Sequence, residues 1–140
     1  MRFMIIRKAD PETEAGVLPW PELIEAMGQY MQEMEKAGIL LGGDGLKPTS
    51  AGCRIVFKGG RPTVLDGPFA ETKEVIAGYT LINVASRQEA LDWVLRWPQI
   101  DGHGGVELEL RQLYEAEDFG EAFTPEAQEL FSKAFKAAPL

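Results

Sequence analysis

The stretch that decides the fold is Val64-Leu65-Asp66-Gly67-Pro68-Phe69-Ala70-Glu71-Thr72-Lys73-Glu74, near the middle of the chain. Its Asp66-Gly67-Pro68 segment predicts a tight turn, because Asp bonds nearby backbone, Gly allows a positive φ and Pro fixes φ. An apolar segment ends just before the stretch, and another begins at Val75. We therefore expect a stiff polar loop between two strands, the kind of place where functional residues often lie.

The flanking segments predict a small sheet with helices. Apolar runs predict strands at 2–7, 39–41, 53–58, 62–65, 75–84 and 106–113, and Gly59-Gly60 predicts a hairpin turn. Helical spacing and capping signals predict helices from Pro21 to Gly38, from Ser86 to Pro98 and after Thr124. This order predicts an α+β, ferredoxin-like domain over residues 1–113, with an antiparallel sheet and two helices on one face. Residues 114–140 are predicted to add an acidic linker and an extra C-terminal helix.

Both faces of the strand at 75–84 are mainly apolar, although two helices can cover only one of them. Leaving the second face in water would expose a larger apolar patch than monomers usually tolerate. The simplest cover is a second copy of the sheet, packed face to face about a two-fold axis. The sequence therefore predicts a homodimer.

Composition excludes several classes of partner. The 140 residues carry a net charge of −8, which disfavours nucleic acid and anionic membrane surfaces. No apolar run approaches the roughly 20 residues that span a bilayer, and the N-terminus does not resemble a signal peptide, so we expect a cytoplasmic protein. The single cysteine, Cys53, excludes an internal disulfide and is predicted to be a small buried residue in a strand.

Two motifs resemble those of a known family. Residues 42–48, Gly-Gly-Asp-Gly-Leu-Lys-Pro, and residues 66–74, from Asp66 to Glu74, are similar to YCII-related proteins of the DGPF-domain type. Residues 86–90 and Trp97-Pro98 support the resemblance. It implies a ferredoxin-like subunit and a dimeric α+β barrel.

The resemblance implies less about activity. Related YCII-like proteins carry a His–Asp pair proposed for acid–base chemistry, and one relative is a dehydrochlorinase. Some DGPF-type members are encoded beside extracytoplasmic-function sigma factors. In the related proteins the histidine belongs to an early part of the chain, whereas the one histidine of this chain is His103.

Asp66 and His103 are the candidate catalytic residues. A histidine titrates near neutrality, and a carboxylate can orient it for proton transfer. The alternative is that Asp66 only caps its own turn and that His103 is a solvated loop residue. Asp44, a candidate ligand-binding residue, follows an apolar strand and precedes a glycine, as Asp66 does. The two could form an acid–base pair or a weak cation site, or be simple turn residues.

Charged residues on the last strand and elsewhere are candidate ligand-binding groups. Glu107, Glu109 and Arg111 share one face of that strand, which either lines a pocket between sheets or is solvated. Arg7 and Lys73 could hold an anionic group there. No motif predicts a cofactor, and no Cys/His set predicts a metal site.

Three functional hypotheses follow. The first is a homodimer that binds a small molecule between sheet and helix. The second is a cofactor-free lyase or hydrolase that uses Asp66 and His103 as an acid–base pair. The third, from the family resemblance alone, is an interaction module for a transcription-related, sigma-factor-linked partner.

Overall fold

A computed structural model describes residues 1–70 and 72–135 of the chain. The strands are β1 (Arg2–Lys8), β2 (Leu40–Gly45), β3 (Cys53–Lys58), β4 (Arg61–Asp66), β5 (Ile76–Asn83) and β6 (Leu108–Gln112). The α-helices are α1 (Pro11–Glu14), α2 (Pro21–Lys36), α3 (Arg87–Val94) and α4 (Pro125–Ala134).

The main sheet has the strand order β2-β5-β1-β6, and every neighbouring pair is antiparallel. With the hairpin set aside, the chain runs strand, helix, strand, strand, helix, strand, and the two central strands are the first and third of these. That topology is the ferredoxin-like α+β fold, and the fold prediction is confirmed.

The helices α2 and α3 begin where the sequence predicts, and α2 stops just before Gly38 as predicted, whereas α3 ends at Val94, four residues before the predicted Pro98. Pro21 occupies the first turn of α2, and Gly38, with φ 74°, follows the helix in the left-handed conformation. Ser86 caps α3 by accepting a hydrogen bond from the Glu89 N–H at 3.1 Å. Both helices lie against the same face of the sheet. The core joins Phe3, Ile5, Ile39, Ile82 and Val84 to Tyr30, Met34, Ala90 and Trp97.

The opposite sheet face is also apolar, as predicted from alternation. Met4 and Ile6 alternate with the core residues of β1, and their partners on β5 are Leu81 and Tyr79. Met4, Ile6 and Tyr79 are only half-buried in a single chain. Arg111 of β6 is the register partner of Met4, so the charged residues of β6 lie at the edge of this same face.

Strands β3 and β4 form a separate two-stranded sheet. Gly59 and Gly60 connect them with φ values of 56° and 78°, the pattern of a type I′ turn. Every residue of both strands is exposed. The prediction that Cys53 is buried is therefore wrong: Cys53 lies in a strand, but that strand leaves the main sheet and its side chain is exposed.

The central turn requires glycine at position 67 because of steric crowding, and not because of a positive φ. Gly67 is absent from the residues with positive φ, contrary to the prediction. A Cβ on Gly67 would lie 1.8 Å from the carbonyl oxygen of Thr49, because the two backbones pack directly together. The Gly67 N–H donates to the Gly52 carbonyl at 2.9 Å, and the Phe69 N–H donates to Thr49 Oγ1 at 3.0 Å. The turn thus fastens the hairpin to residues 48–52.

The predicted cap by Asp66 is not observed. Across residues 1–70 and 72–135 no hydrogen bond involves the Asp66 carboxylate, whose residue is exposed at the end of β4. Thr49 holds the turn instead, and its own N–H and Oγ1 donate to the Glu14 carboxylate at 3.0 and 2.6 Å.

The extra C-terminal helix is present as α4, and none of its residues is buried. Thr124 caps it by accepting from the Ala127 N–H at 3.2 Å. Among the described residues, no helix is long and apolar enough to cross a membrane.

We expect Gly67→Ala to lower the free energy of unfolding by about 3 kcal/mol, because the added methyl meets rigid backbone. Gly52→Ala is the matched control, since a Cβ there would lie an ordinary 3.7 Å from the Thr49 oxygen. Urea unfolding followed by circular dichroism measures both variants. Equal stability of the two variants would contradict the packing explanation of the turn.

Candidate functional site

A cleft of about 630 Å³ lies between the first half of α2 and the end of the sheet formed by β2 and β5. Its lining is mostly apolar, with polar groups gathered at one end. Its lining includes Arg7, Asp10, Trp20, Ile24, Met27, Met31, Gly43, Asp44, Gly45, Lys47, Gly78 and Asp101.

Part of the floor of the cleft is glycine backbone of the sheet, beside Ala77 and Thr80 of β5. Gly45 pairs with Gly78 across β2 and β5, and Gly43 pairs with Thr80. A Cβ on Gly43 would lie 2.6 Å from the Tyr79 carbonyl oxygen, so this position requires glycine. A Cβ on Gly45 would meet nothing within 4 Å. The glycine-rich strand β2 thus contains both a register shift, between Leu40 and Gly42, and this close approach.

The roof comes from α2 and the residue before it. Met27 and Met31 are partly buried against the core, and Ile24 is 57% exposed at the mouth. Trp20 precedes the helix and also lines the cleft. Methionine and tryptophan side chains give a broad, polarisable apolar surface that adapts to flat ligands.

The polar end wall is built around Arg7, whose side chain is only 11% exposed. Its Nη2 and Nε donate to the two oxygens of Asp101 at 2.7 and 3.2 Å. Its Nη1 donates to Asp10 Oδ2 at 3.0 Å and to the Lys8 carbonyl at 2.8 Å. The Trp97 indole N–H donates to Asp101 Oδ2 at 2.9 Å.

These contacts determine the ionisation states of Asp101 and Asp10 in the wall. Burial alone would raise the pKa of Asp101, but the hydrogen bonds from Arg7 and Trp97 and the charge of Arg7 outweigh it, so that pKa lies below its usual range. Burial likewise opposes a low pKa at Asp10, yet hydrogen bonds from Thr13 and Arg7 lower it. Both carboxylates are therefore ionised at neutral pH, and the two share one guanidinium.

His103 lies behind the rim of the cleft. Its Nε2 is 2.9 Å from Glu12 Oε2, and its ring stacks on Trp20 with centroids 4.9 Å apart and planes 7° apart. Glu12 and Trp20 both line the cleft. His103 has φ 55°, a left-handed conformation that is uncommon outside glycine.

The carboxylate beside His103 is thus Glu12. Between Asp66 and His103 no hydrogen bond occurs in the described ranges, because Asp66 belongs to the hairpin and His103 to the turn before β6. The acid–base pair of these two residues was one of two alternatives that the sequence offered, and within one chain the two side chains do not form it.

The other predicted residues divide between the cleft and the surface. Arg7 and Asp44 line the cleft, and Asp44 accepts a hydrogen bond from the Tyr79 hydroxyl at 3.4 Å. Arg111 lies on the open sheet face and donates to Glu109 at 3.2 Å. Lys73 is exposed in a 3-10 turn that does not line the cleft.

Sequence reasoning missed Asp101, Trp20 and Glu12 as residues of this site. A signal existed for the neighbouring turn, since Asp10 and Thr13 form a reciprocal capping box around α1. Asp101 carried no local signal, because its partner Arg7 is 94 residues away. Within the described residues, no group of three or more His, Cys, Asp and Glu side chains could hold a metal ion.

We expect Asp101→Asn to lower the free energy of unfolding at pH 7 by about 3 kcal/mol, because it leaves the buried Arg7 cation without its main counter-charge. The lowered pKa of Asp101 stabilises the fold above about pH 4, the unfolded value, and this contribution is lost as the pH falls through the folded value.

The stability curves of wild type and Asp101→Asn should therefore converge on acidification. Urea unfolding at pH 7 and at successively lower pH measures this, with the exposed Asp92→Asn on α3 as the control. Parallel curves would contradict the role assigned to the ionised pair.

Comparisons with known proteins bear on the identity of the fold. A family model described as "YCII-related domain" matches residues 1–117. An uncharacterised protein of Rhizobium meliloti (strain 1021), R00369, is 50% identical over 48 residues, which are 34% of this chain and 39% of that protein. The alignment thus spans well under half of that relative's length.

One solved structure is similar in outline. It is the 5-chloro-2-hydroxyhydroquinone dehydrochlorinase (TftG) of Burkholderia phenoliruptrix AC1100 in complex with 2,5-dihydroxybenzoquinone. The alignment has a TM-score of 0.47 and 14% identity, and it covers 82% of this chain and 95% of that one. Because the family model matches residues 1–117 of 140, the chain belongs to the YCII-related family.

Proposed function

We propose that this YCII-related protein binds a small organic molecule in the cleft between α2 and the β2–β5 end of the sheet. The observation that carries the proposal is a mostly apolar cleft of about 630 Å³ with a glycine floor and polar groups at one end. Pockets for small ligands are commonly about 300–1,000 Å³ and have this composition.

The polar groups favour a ligand that donates hydrogen bonds. Asp10 and Asp101 bring carboxylate oxygens to the wall of the cleft, and both already accept hydrogen bonds from Arg7. The Asp44 carboxylate instead accepts from the Tyr79 hydroxyl on the opposite face of the sheet. Because Arg7 is already paired with two carboxylates, the expectation that Arg7 anchors an anion is set aside, and Lys47 is a second cation of the lining. An aromatic or alicyclic body with hydroxyl groups fits both the apolar roof and the acceptor-rich end.

The proposed binding protein is a homodimer. Met4, Ile6 and Tyr79 lie on the sheet face that α2 and α3 do not cover, and they remain half-buried in one chain. A second sheet packed on this face removes that apolar area from water. At the margin of this face Glu109 pairs with both Lys8 and Arg111, as expected for the polar rim of an interface.

A cofactor-free lyase or hydrolase is the second candidate. The observation that favours it is the His103–Glu12 pair stacked on Trp20 at the rim of the cleft. A histidine oriented by a carboxylate can move a proton to or from a bound hydroxyl compound. In this form of the hypothesis Glu12 takes the orienting role first given to Asp66. The interaction with a transcription-related partner stays a prediction from the family resemblance.

Binding is tested with a panel of substituted phenols and cyclohexanediols, detected by ligand-observed NMR and titrated by isothermal calorimetry. We expect Ile24→Glu to weaken binding at least tenfold, because it places a charge at the apolar mouth. Leu95→Glu, at the position that follows α3, is the matched control, since Leu95 is also exposed, at 73%, and lies outside the cleft. Equal loss in both variants, or no bound compound, would contradict the proposal.

A measurement of turnover distinguishes the enzyme hypothesis from the binding hypothesis. Any bound compound is incubated with the protein and followed by mass spectrometry. A catalytic His103 requires His103→Gln to abolish turnover while leaving affinity within about threefold. Turnover that survives in His103→Gln would remove the enzyme hypothesis in this form.

The dimer is tested by light scattering. We expect a solution mass of twice the 15.5 kDa of one chain. Ile6→Glu should give the monomer mass, because it places a charge in the proposed interface, whereas Leu95→Glu should remain dimeric. A monomeric wild type would contradict the dimer.

A further inference from the structure

The C-terminal segment contains an aromatic groove of about 660 Å³ that is separate from the cleft. We define the aromatic groove by the five rings of Tyr114, Phe119, Phe123, Phe131 and Phe135, which line it together with small alanine side chains. Successive rings lie 5.0 to 6.3 Å apart between centroids, so they form a continuous apolar surface.

This groove is uncovered in a single chain. Tyr114 is 71% exposed, Phe131 54% and Phe135 56%, and the helix α4, which carries Phe131 and is followed by Phe135, has no buried residue. An amphipathic helix gains most of its stability from packing its apolar face, so a partner for this groove is required.

The β3–β4 hairpin also leaves its apolar side chains uncovered in a single chain. Ile55, Phe57, Val64 and Leu65 are each at least 50% exposed, and Phe57 beside the turn reaches 67%. An isolated two-stranded hairpin is marginally stable in water. This one is fastened at its base by Gly67 and by Arg54, whose guanidinium lies 3.9 Å from the Phe69 ring centroid. Its tip therefore projects from the subunit.

The two surfaces carry opposite charge. The hairpin has three cations, Arg54, Lys58 and Arg61, against one acid, Asp66. Residues 115–135 have one cation, Lys133, against the acids Glu115, Glu117, Asp118, Glu121, Glu126 and Glu129. A basic apolar tip and an acidic aromatic groove are complementary partners.

We propose that the hairpin of one subunit inserts Phe57 into the aromatic groove of a second copy of this chain. The proposal rests on the homodimer proposed above and adds two equivalent contacts to it. Both complementary surfaces lie on the same chain, so a two-fold axis satisfies both at once and leaves no open end. Strands of six residues extend about 20 Å at 3.3 Å per residue, far enough to reach a neighbouring subunit.

The contact is tested by disulfide trapping in a Cys53→Ser background, which removes the one native thiol. One tagged chain carries Phe57→Cys and a differently tagged chain carries Phe131→Cys. After the two are mixed and allowed to exchange subunits, mild oxidation should give a disulfide-linked heterodimer. Phe131→Cys mixed with Leu95→Cys is the control for random collision, because Leu95 is exposed just after α3.

A charge exchange provides a second readout that does not depend on the new thiols. Lys58→Glu with Arg61→Glu should weaken the dimer at least tenfold by sedimentation. Glu117→Lys with Glu121→Lys in the same chain should restore it. Residues 58 and 61 flank an exposed turn, and residues 117 and 121 are exposed, so these changes leave the core intact.

The outcomes separate this inference from the dimer itself. A heterodimer disulfide well above the control, with charge rescue, supports the inserted hairpin. A dimer by light scattering that gives no disulfide above the control overturns the inference and leaves the sheet-face dimer standing. A monomer overturns both, and a chain carrying Phe57→Cys and Phe131→Cys that closes on itself shows that the contact is intramolecular.

Discussion

The buried pair of Arg7 and Asp101 is the interaction on which the rest of the structure depends. It joins the end of β1 to the turn after α3, with Nη2 and Oδ1 2.7 Å apart, and Asp10 and Trp97 complete the network around it. Loss of one partner would leave a buried charge uncompensated, which is costly. The same pair forms the polar end of the cleft, so stability and the candidate site share one set of contacts.

The fold was predictable because its determinants are local. Helix caps at Ser86 and Gly38, the glycine pair in the hairpin turn and the alternation of β5 each act within a few residues, and each prediction was confirmed. The site was only partly predictable, because its geometry depends on distant pairs. Arg7 and Asp44 line the cleft as candidates, but the neighbour of His103 is Glu12, 91 residues away. Sequence spacing does not predict contacts between distant residues that come together only when the sheet forms.

Glycine has a structural role in both sequence motifs, residues 66–74 and residues 42–48, but the role differs between positions. At Gly67 the backbone of Thr49 leaves no room for a side chain, so the motif around it fastens the hairpin and is not itself a catalytic loop. In the other motif, Gly43 is likewise required by crowding, against the Tyr79 carbonyl, whereas a Cβ on Gly45 would meet nothing within 4 Å and its absence leaves open space. One motif therefore positions the hairpin, and the other contributes glycine backbone to the cleft. In both cases the chemistry of the site comes from neighbouring residues.

The central claim is that the cleft with the glycine floor binds a small hydroxylated organic molecule. Amide chemical-shift mapping with the panel of phenols and cyclohexanediols tests it most directly, because Gly43, Gly45 and Gly78 give amide signals on the floor itself. The account predicts that binding shifts these three signals, together with the indole signal of Trp20. Shifts confined to residues 114–135, or to the open sheet face around Ile6, would contradict it.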